Sequence, residues 1–152
     1  MLFRKQPPAI LSGRLQSLDD TEQATAYLGK RVYSTSGDYV GKVKDVLLKN
    51  QALAGLLVKG RRRLFLDKDY CVPGVIDSVI LKVDPVTMLR RKLVFDSHGK
   101  RIGRVVSVER SSTKNACDAI IVKKHLFAKP RRVASSLIDV SKKSIILNKP
   151  LD

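Results

Sequence analysis

Short runs of β-branched and aromatic residues, each ended by glycine or polar residues, follow one another from residue 28 to residue 150. Val32-Tyr33 and Val94-Phe95 are two such runs, and the turn pairs Ser36-Gly37 and His98-Gly99 follow them. Glycine in such a turn permits the positive φ that a tight hairpin requires. The pattern predicts short β-strands joined by tight turns about every eight to twelve residues.

The chain also repeats itself. Three pairs of segments match in the same order, with a shift that grows along the chain. The pairs are residues 31–43 with 93–105, residues 55–59 with 119–123, and residues 78–81 with 144–147, at shifts of 62, 64 and 66 positions. The repeat predicts two copies of one module, of which the second has gained a few loop residues.

Each copy predicts five or six short strands, which is typical of a small β-barrel. Gly41 and Gly103 lie inside predicted strands, where glycine marks a bulge or a sharp bend. A module of about 60 residues buries only about 60% of its unfolded surface, so docking the two barrels together would stabilise both. The predicted fold class is therefore all-β, with two small tandem β-barrels.

The predicted organisation adds a tail to these two barrels. Residues 17–28 offer a polar cap followed by acidic residues, which predicts a short helix that packs on the first barrel, while residues 1–16 are expected to be loosely held. The predicted units are an N-terminal tail with this helix at 1–27, a first barrel at 28–85 and a second barrel at 88–152, with a short linker at 84–87.

Residues 28–34, followed by 37–47, resemble the opening of a PRC-barrel domain, and residues 131–140 with 143–148 resemble its later half. The resemblance implies two tandem PRC-type barrels, although one barrel is usual in the family. It also implies a style of action. Family members are mostly non-enzymatic and act in protein or RNA-linked assembly, in ribosome maturation, photosynthetic complexes and archaeal cell division.

Charge adds a clue about partners. The chain carries 30 Lys and Arg against 14 Asp and Glu, a net charge of +16. Residues 1–27 contribute zero, residues 28–85 contribute +5 and residues 88–152 contribute +11. A concentrated positive field attracts polyanions such as nucleic acid, anionic lipid or acidic proteins.

Clusters of basic residues are the candidate nucleic-acid contacts. Two of them, residues 60–63 and 129–132, are expected on equivalent turns between the third and fourth strands of each copy. Arginines in a turn can grip phosphates bidentately. The predicted contacts are Arg61, Arg62, Arg63, Arg90, Arg91, Lys92, Lys100, Arg101, Arg104, Lys123, Lys124, Lys129, Arg131 and Arg132. Solvated hairpins whose charges discourage aggregation are the alternative.

The leading interpretation is a binding protein for RNA or a ribonucleoprotein, plausible as a ribosome-associated assembly factor. With aromatic residues at 5% of the chain, recognition would use the backbone, and only Tyr39 and Phe127 are candidates for base stacking. The alternative is a scaffold or adaptor, in cell division or at a membrane, that holds a protein partner through a barrel face or edge. A homo-oligomer is left open.

No residues indicate catalysis, a cofactor or a metal. His98 is expected to be a turn residue and His125 an exposed ring, while Cys71 and Cys117 are expected to be packing groups. The acidic cluster at 67–69 lacks the spacing of a calcium loop, and the phosphate-binding and nucleophile motifs are missing. Apolar runs are far shorter than the roughly 20 residues of a membrane span, so a cytoplasmic protein is expected. The missing catalytic motifs predict that it is non-enzymatic.

Overall fold

The computed structural model describes residues 8–152, whose strands form two sheets. The first sheet contains β1 (Arg31–Tyr33), β2 (Tyr39–Lys49), β3 (Ala52–Lys59), β4 (Arg63–Asp67) and β5 (Ser78–Ile80). The second contains β6 (Leu93–Phe95), β7 (Arg101–Glu109), β8 (Ala119–Lys123), β9 (Arg131–Ala134), β10 (Ile138–Ser141) and β11 (Ser144–Leu147). Helical structure in the described residues is limited to 3₁₀ helices at Ala24–Tyr27, Lys68–Tyr70, Val86–Leu89 and Ser135–Leu137. The all-β prediction is confirmed.

The two sheets share one topology. The first has the strand order β4-β3-β2-β1-β5, in which β1 and β5 are parallel and the other neighbours are antiparallel. The second repeats this order as β9-β8-β7-β6-β11 and adds β10 beyond β11. The parallel pair joins the first strand of each copy to a strand near its end, so this pairing brings the two ends of each module together.

Closure of the predicted barrels does not come from strand pairing. In residues 8–152, no ladder joins β4 to β5 or β9 to β10, so both sheets are open. A 3₁₀ helix turns the corner after β4 and leads to an isolated bridge between Cys71 and Leu81, just beyond β5. The Ser135–Leu137 helix leads from β9 to β10 in the same way. In each module the chain therefore bends at a 3₁₀ corner, and the segment after the corner forms hydrogen bonds next to the last strand.

The two cores correspond residue by residue, which confirms the repeat. Each consists of seven buried side chains at matching positions, with shifts of 62 at the start and 66 at the end. The pairs are Val32 with Val94, Val43 with Val105, Leu56 with Ile120, Val58 with Val122, Leu66 with Val133, Val79 with Ile145 and Leu81 with Leu147.

The glycines of the first hairpin have two roles. Gly37 and Gly99 occupy the turn with φ of +85° and +78°. Gly41 and Gly103 lie where the second strand passes close to the third. A Cβ would come within 2.7 Å of the Lys59 carbonyl oxygen at Gly41 and within 2.3 Å of the Lys123 carbonyl oxygen at Gly103. The ladder register also shifts at both places, which confirms the predicted bulges.

The N-terminal segment is less helical than predicted. Only Ala24–Tyr27 forms a 3₁₀ helix, and Tyr27 packs against the first core. Ahead of it, the Ser17 hydroxyl accepts a bond from the Asp19 amide at 3.2 Å, and the Thr21 hydroxyl donates to the Leu18 carbonyl at 2.6 Å. Such local side-chain bonds compete with a helix. Residues 8–23 are exposed, and the rest of the predicted loose tail, residues 1–7, lies outside the described residues.

The linker holds the two sheets together through Asn115, in the loop between β7 and β8. Its side-chain amide donates to the Asp84 carbonyl at 2.9 Å, and its side-chain oxygen accepts from the Val86 amide at 2.7 Å. The Asn115 backbone amide also donates to the Tyr70 hydroxyl of the first module at 3.3 Å. A loop of the second module therefore holds the end of the first.

The close approach at Gly103 makes a stability prediction. Gly103→Ala places a methyl group against the β8 backbone, so we expect the free energy of unfolding in urea to fall by about 1–3 kcal/mol. Gly13→Ala is the control, because nothing lies within 4 Å of its added Cβ, and it should change stability by less than about 0.5 kcal/mol. Equal stability of the two variants would contradict the steric role of Gly103.

Candidate nucleic-acid interface

Four basic residues lie side by side across the outer face of the first sheet. Arg31 on β1 pairs with Lys42 on β2, Lys42 pairs with Lys59 on β3, and Lys59 pairs with Arg63 on β4. Residues directly opposite each other share a face, and the neighbours Val32, Val43 and Val58 fill the core on the other side. With strands about 4.8 Å apart, this line spans about 14 Å. We call Arg31, Lys42, Lys59 and Arg63 the basic row.

The β3–β4 hairpin extends the basic row. Arg61 and Arg62 form its exposed tip, where the Gly60 amide donates to the Arg62 carbonyl at 3.2 Å. All four members of the row are exposed as well. The salt bridge found among the described residues is elsewhere, so these six cations have no carboxylate partner within residues 8–152.

Sequence reasoning found Arg61, Arg62 and Arg63 and missed the other three cations of this surface. Arg31 follows Lys30, Lys42 precedes Lys44 by two residues and Lys59 precedes Arg61 by two, but these local groups do not show that three strands place the side chains in one line. Only the strand register brings them together. The available signal was the alternation in each strand, which places each of them next to a core valine.

The second sheet does not place its arginines as predicted. Arg131 and Arg132 lie inside strand β9, whereas Arg61 and Arg62 lie in the turn. Arg132 faces Ile121, the counterpart of Leu57, and Leu57 faces Phe65 in the first sheet. Arg132 therefore occupies the position of an aromatic residue, because the second hairpin gained residues ahead of β9. The predicted equivalence of the two basic clusters is wrong.

Arg132 is also engaged within the protein. Its Nε lies 2.7 Å from a carboxylate oxygen of Glu109, across strand β8. Both side chains are about half exposed, at 57% and 44%, so the pair stabilises the fold by about 1 kcal/mol at most. The pairing neutralises one of the predicted phosphate contacts.

Three more of the predicted contacts, Arg90, Lys92 and Arg104, donate side-chain hydrogen bonds to backbone carbonyls of the second module. Arg90 Nε donates to the Val106 carbonyl at 3.0 Å, and a guanidinium nitrogen of Arg104 donates to the Arg91 carbonyl at 3.0 Å. Lys92 donates to the Lys142 carbonyl. Arg91 itself has a φ of +74° in this bend. A ligand that bound Arg90, Lys92 or Arg104 would have to share these side chains with the backbone.

The remaining predicted contacts fall into two places. Lys100 and Arg101 are exposed at the β6–β7 hairpin. Lys123, Lys124, Lys129 and Arg131 surround the loop between β8 and β9. The aromatic candidates are also apart: Tyr39 is 53% exposed and packs edge-on against Tyr33 with ring centroids 5.9 Å apart, and Phe127 lies in the β8–β9 loop.

In each module, a carboxylate accepts hydrogen bonds from backbone amides of the first hairpin turn. Asp96 is buried, and one of its oxygens accepts from the amides of His98 and Lys100, each at 2.9 Å. Burial raises the pKa of the Asp96 carboxyl, but the bonds from these amides lower it more, so the net pKa lies below its ordinary value. His98 is thus a turn residue, as predicted.

In the first sheet, Ser34 and Asp84 share this role. The Ser34 hydroxyl, at the position of Asp96, accepts from the Asp38 amide at 3.1 Å. Asp84 provides the carboxylate. It accepts from the Ser36 amide at 2.9 Å and from the Ser36 hydroxyl at 2.5 Å. Burial raises its pKa, while bonds from Ser36 and Ser34 and the charge of Lys92 lower it, and the net pKa is below the ordinary value.

Two thiols and one phenol outside these turns have pKa values above their ordinary ones. Burial raises the pKa of the thiols of Cys71 and Cys117, which keeps them protonated, and both side chains pack against the cores. A hydrogen bond to Glu22 and burial raise the pKa of Tyr27 to about 12. Among residues 8–152, no three metal-ligating side chains come together. Nor does this part of the chain contain a helix long and apolar enough to cross a membrane.

Residues 19–88 match the PRC-barrel domain family. The match begins just ahead of the 3₁₀ helix that carries Tyr27 and ends at Met88, in the Val86–Leu89 helix, so the first module is similar to a PRC-barrel domain over its whole length. It does not extend to the second sheet, whose likeness to the first rests on the shared strand order and core. No curated protein sequence matches the chain.

The Asp96 turn makes a pH prediction. Because the folded pKa lies below the unfolded value of about 3.9, the ionised carboxyl stabilises the fold above that pH, and the contribution is lost as pH falls through the folded pKa. Asp96→Asn should therefore lower the Tm at pH 7, and the difference from the parent protein should shrink in acid. Asp77→Asn, at an exposed loop carboxylate, is the control for charge. An Asp96→Asn deficit that is the same at pH 7 and in acid would contradict this role.

Proposed function

We propose that this chain is a non-enzymatic, cytoplasmic protein that binds the phosphate backbone of RNA, alone or in a ribonucleoprotein, as a ribosome-associated or assembly factor. The observation that supports the proposal is the basic row with the Arg61-Arg62 tip. Six exposed cations without a carboxylate partner in the described residues form one surface. A chain of phosphates is a ligand of matching charge and shape.

The arrangement favours contacts with the backbone over reading of bases. Arginine binds a phosphate with two parallel hydrogen bonds, and lysine binds it as a point charge. Base reading in single strands needs aromatic platforms, and among the described residues the row has only Tyr33 and Phe65 within two positions along its strands, each two residues from an arginine of the row. We expect binding that tolerates changes of sequence and weakens steeply with salt.

The proposal is tested by removing the basic row. Replacing Arg31, Lys42, Lys59 and Arg63 together with glutamine should weaken binding of a single-stranded RNA oligonucleotide. It should also make the slope of log K against log salt shallower by about 3, since each lost phosphate contact contributes about 0.7. A fluorescence anisotropy titration over a range of salt concentrations measures both quantities.

A charge-matched variant separates site from net charge. Lys68, Lys114, Lys143 and Lys149 are all exposed and lie outside the row, and their replacement by glutamine removes the same four charges. If both variants lose RNA affinity equally, the row is not a site. A native complex that survives nuclease treatment and is lost only in the row variant would instead identify an acidic protein partner, and would overturn the RNA proposal.

A further inference from the structure

The loop between β8 and β9, residues 124–130, places its two most apolar side chains in water. The Ala128 amide donates to the His125 carbonyl at 3.1 Å, which makes Leu126 and Phe127 the central residues of a turn. Leu126 is 79% exposed and Phe127 is 90% exposed. Glycine, proline and small polar residues normally occupy such positions. The packing of this fold does not explain the exposed pair.

The corresponding loop of the first sheet shows that the apolar tip is not needed to connect the strands. There, residues 60–62 join β3 to β4 with only three residues, and arginines form the tip. The loop of the second sheet has seven residues and projects its apolar pair beyond the strands. The extension adds a surface feature without adding to the core.

Basic residues surround the apolar tip. Lys123 and Lys124 precede it, Lys129 and Arg131 follow it, and no acidic residue occurs from residue 119 to residue 138. A pair of apolar side chains ringed by cations matches the boundary of a membrane, where acyl chains lie beneath anionic headgroups.

We propose that residues 124–130 form a membrane-docking loop. Leu126 and Phe127 enter the interface of an anionic lipid bilayer, and Lys124, Lys129 and Arg131 contact its headgroup phosphates. This inference goes beyond the proposed RNA binding, because it uses a different surface of the chain.

Lipid fits this loop better than the other occupants. A nucleobase would stack on Phe127 but leave Leu126 in water, since an aliphatic side chain offers no aromatic face. A second copy of the chain would bring another highly basic surface against the same cations, and the two would repel each other. A bilayer interface accepts both apolar side chains and the surrounding positive charge.

The chain contains no tryptophan, so a single introduced tryptophan reports on its own surroundings. In the full-length Phe127→Trp variant, we expect the emission to shift to shorter wavelength when vesicles of phosphatidylcholine and phosphatidylserine are added, and to be quenched by brominated lipid. Vesicles of phosphatidylcholine alone should produce a much smaller shift. Ile76→Trp is the matched control, because Ile76 is 81% exposed in a loop of the first module, and its emission should not change.

A binding measurement complements the spectroscopic one. Replacing Leu126 and Phe127 with serine should lower cosedimentation with the anionic vesicles by at least about tenfold, because their burial in the interface is lost. Ile76→Ser should bind as the parent protein does. Both sites are exposed, so thermal unfolding should show that the variants fold normally.

Four results would overturn the membrane proposal. These are an unshifted Phe127→Trp emission at excess anionic vesicle, a shift produced by RNA but not by vesicles, a shift that grows with protein concentration alone, and full vesicle binding by the double serine variant. The double serine variant should retain the RNA affinity of the parent protein. The failure of either proposal is therefore distinguishable from the failure of the other.

Discussion

In each module, backbone amides of the first hairpin turn donate to side-chain oxygens, and a carboxylate is among the acceptors. A hydrogen bond of this kind typically contributes about 0.5–1.5 kcal/mol, which matters to the stability of so small a sheet. The two modules supply the carboxylate from different points of the chain. Asp96 comes from the strand that enters the turn, whereas Asp84 comes from the far end of its module and reaches back to Ser36. Asp96 accepts two amides by itself, whereas in the first module its counterpart Ser34 accepts one amide and Asp84 accepts the other.

The position of Asp84 has a consequence for the whole chain. Its side chain completes the first hairpin turn, and its carbonyl accepts from Asn115 of the second module. The same residue therefore stabilises one sheet and holds the loop of the next. Each core has only seven buried residues, so each module has little stability of its own. The two modules are joined at Asp84, which also stabilises the first sheet. Within the described residues, no strand ladder joins β4 to β5 or β9 to β10. The contact at Asp84 is therefore more important to the stability of the two modules.

Much of the fold could be predicted from the sequence, because apolar alternation and turn glycines are local signals. The repeat found by alignment is the repeat of the cores, and Gly103 lies at the close approach that its place in a strand predicted. The candidate surface was harder. Arg31, Lys42 and Lys59 meet only through strand register, and Arg132 left its predicted position because an insertion moved it along β9. Strand pairing between distant parts of the chain decides where these basic residues lie, and a local run of charge does not show it.

The β3–β4 hairpin and its counterpart β8–β9 show how one fold carries two different surfaces. The inward residues of these hairpins keep their apolar character, since a change there would disturb a core of seven side chains. The turn residues contribute no core contact, so their length and chemistry can change at little cost to stability. One turn therefore carries Arg61-Arg62 beside a row of cations, and the other carries Leu126-Phe127 above a ring of them. The repeat therefore keeps the packing of the core, while the two hairpin tips differ in length and chemistry.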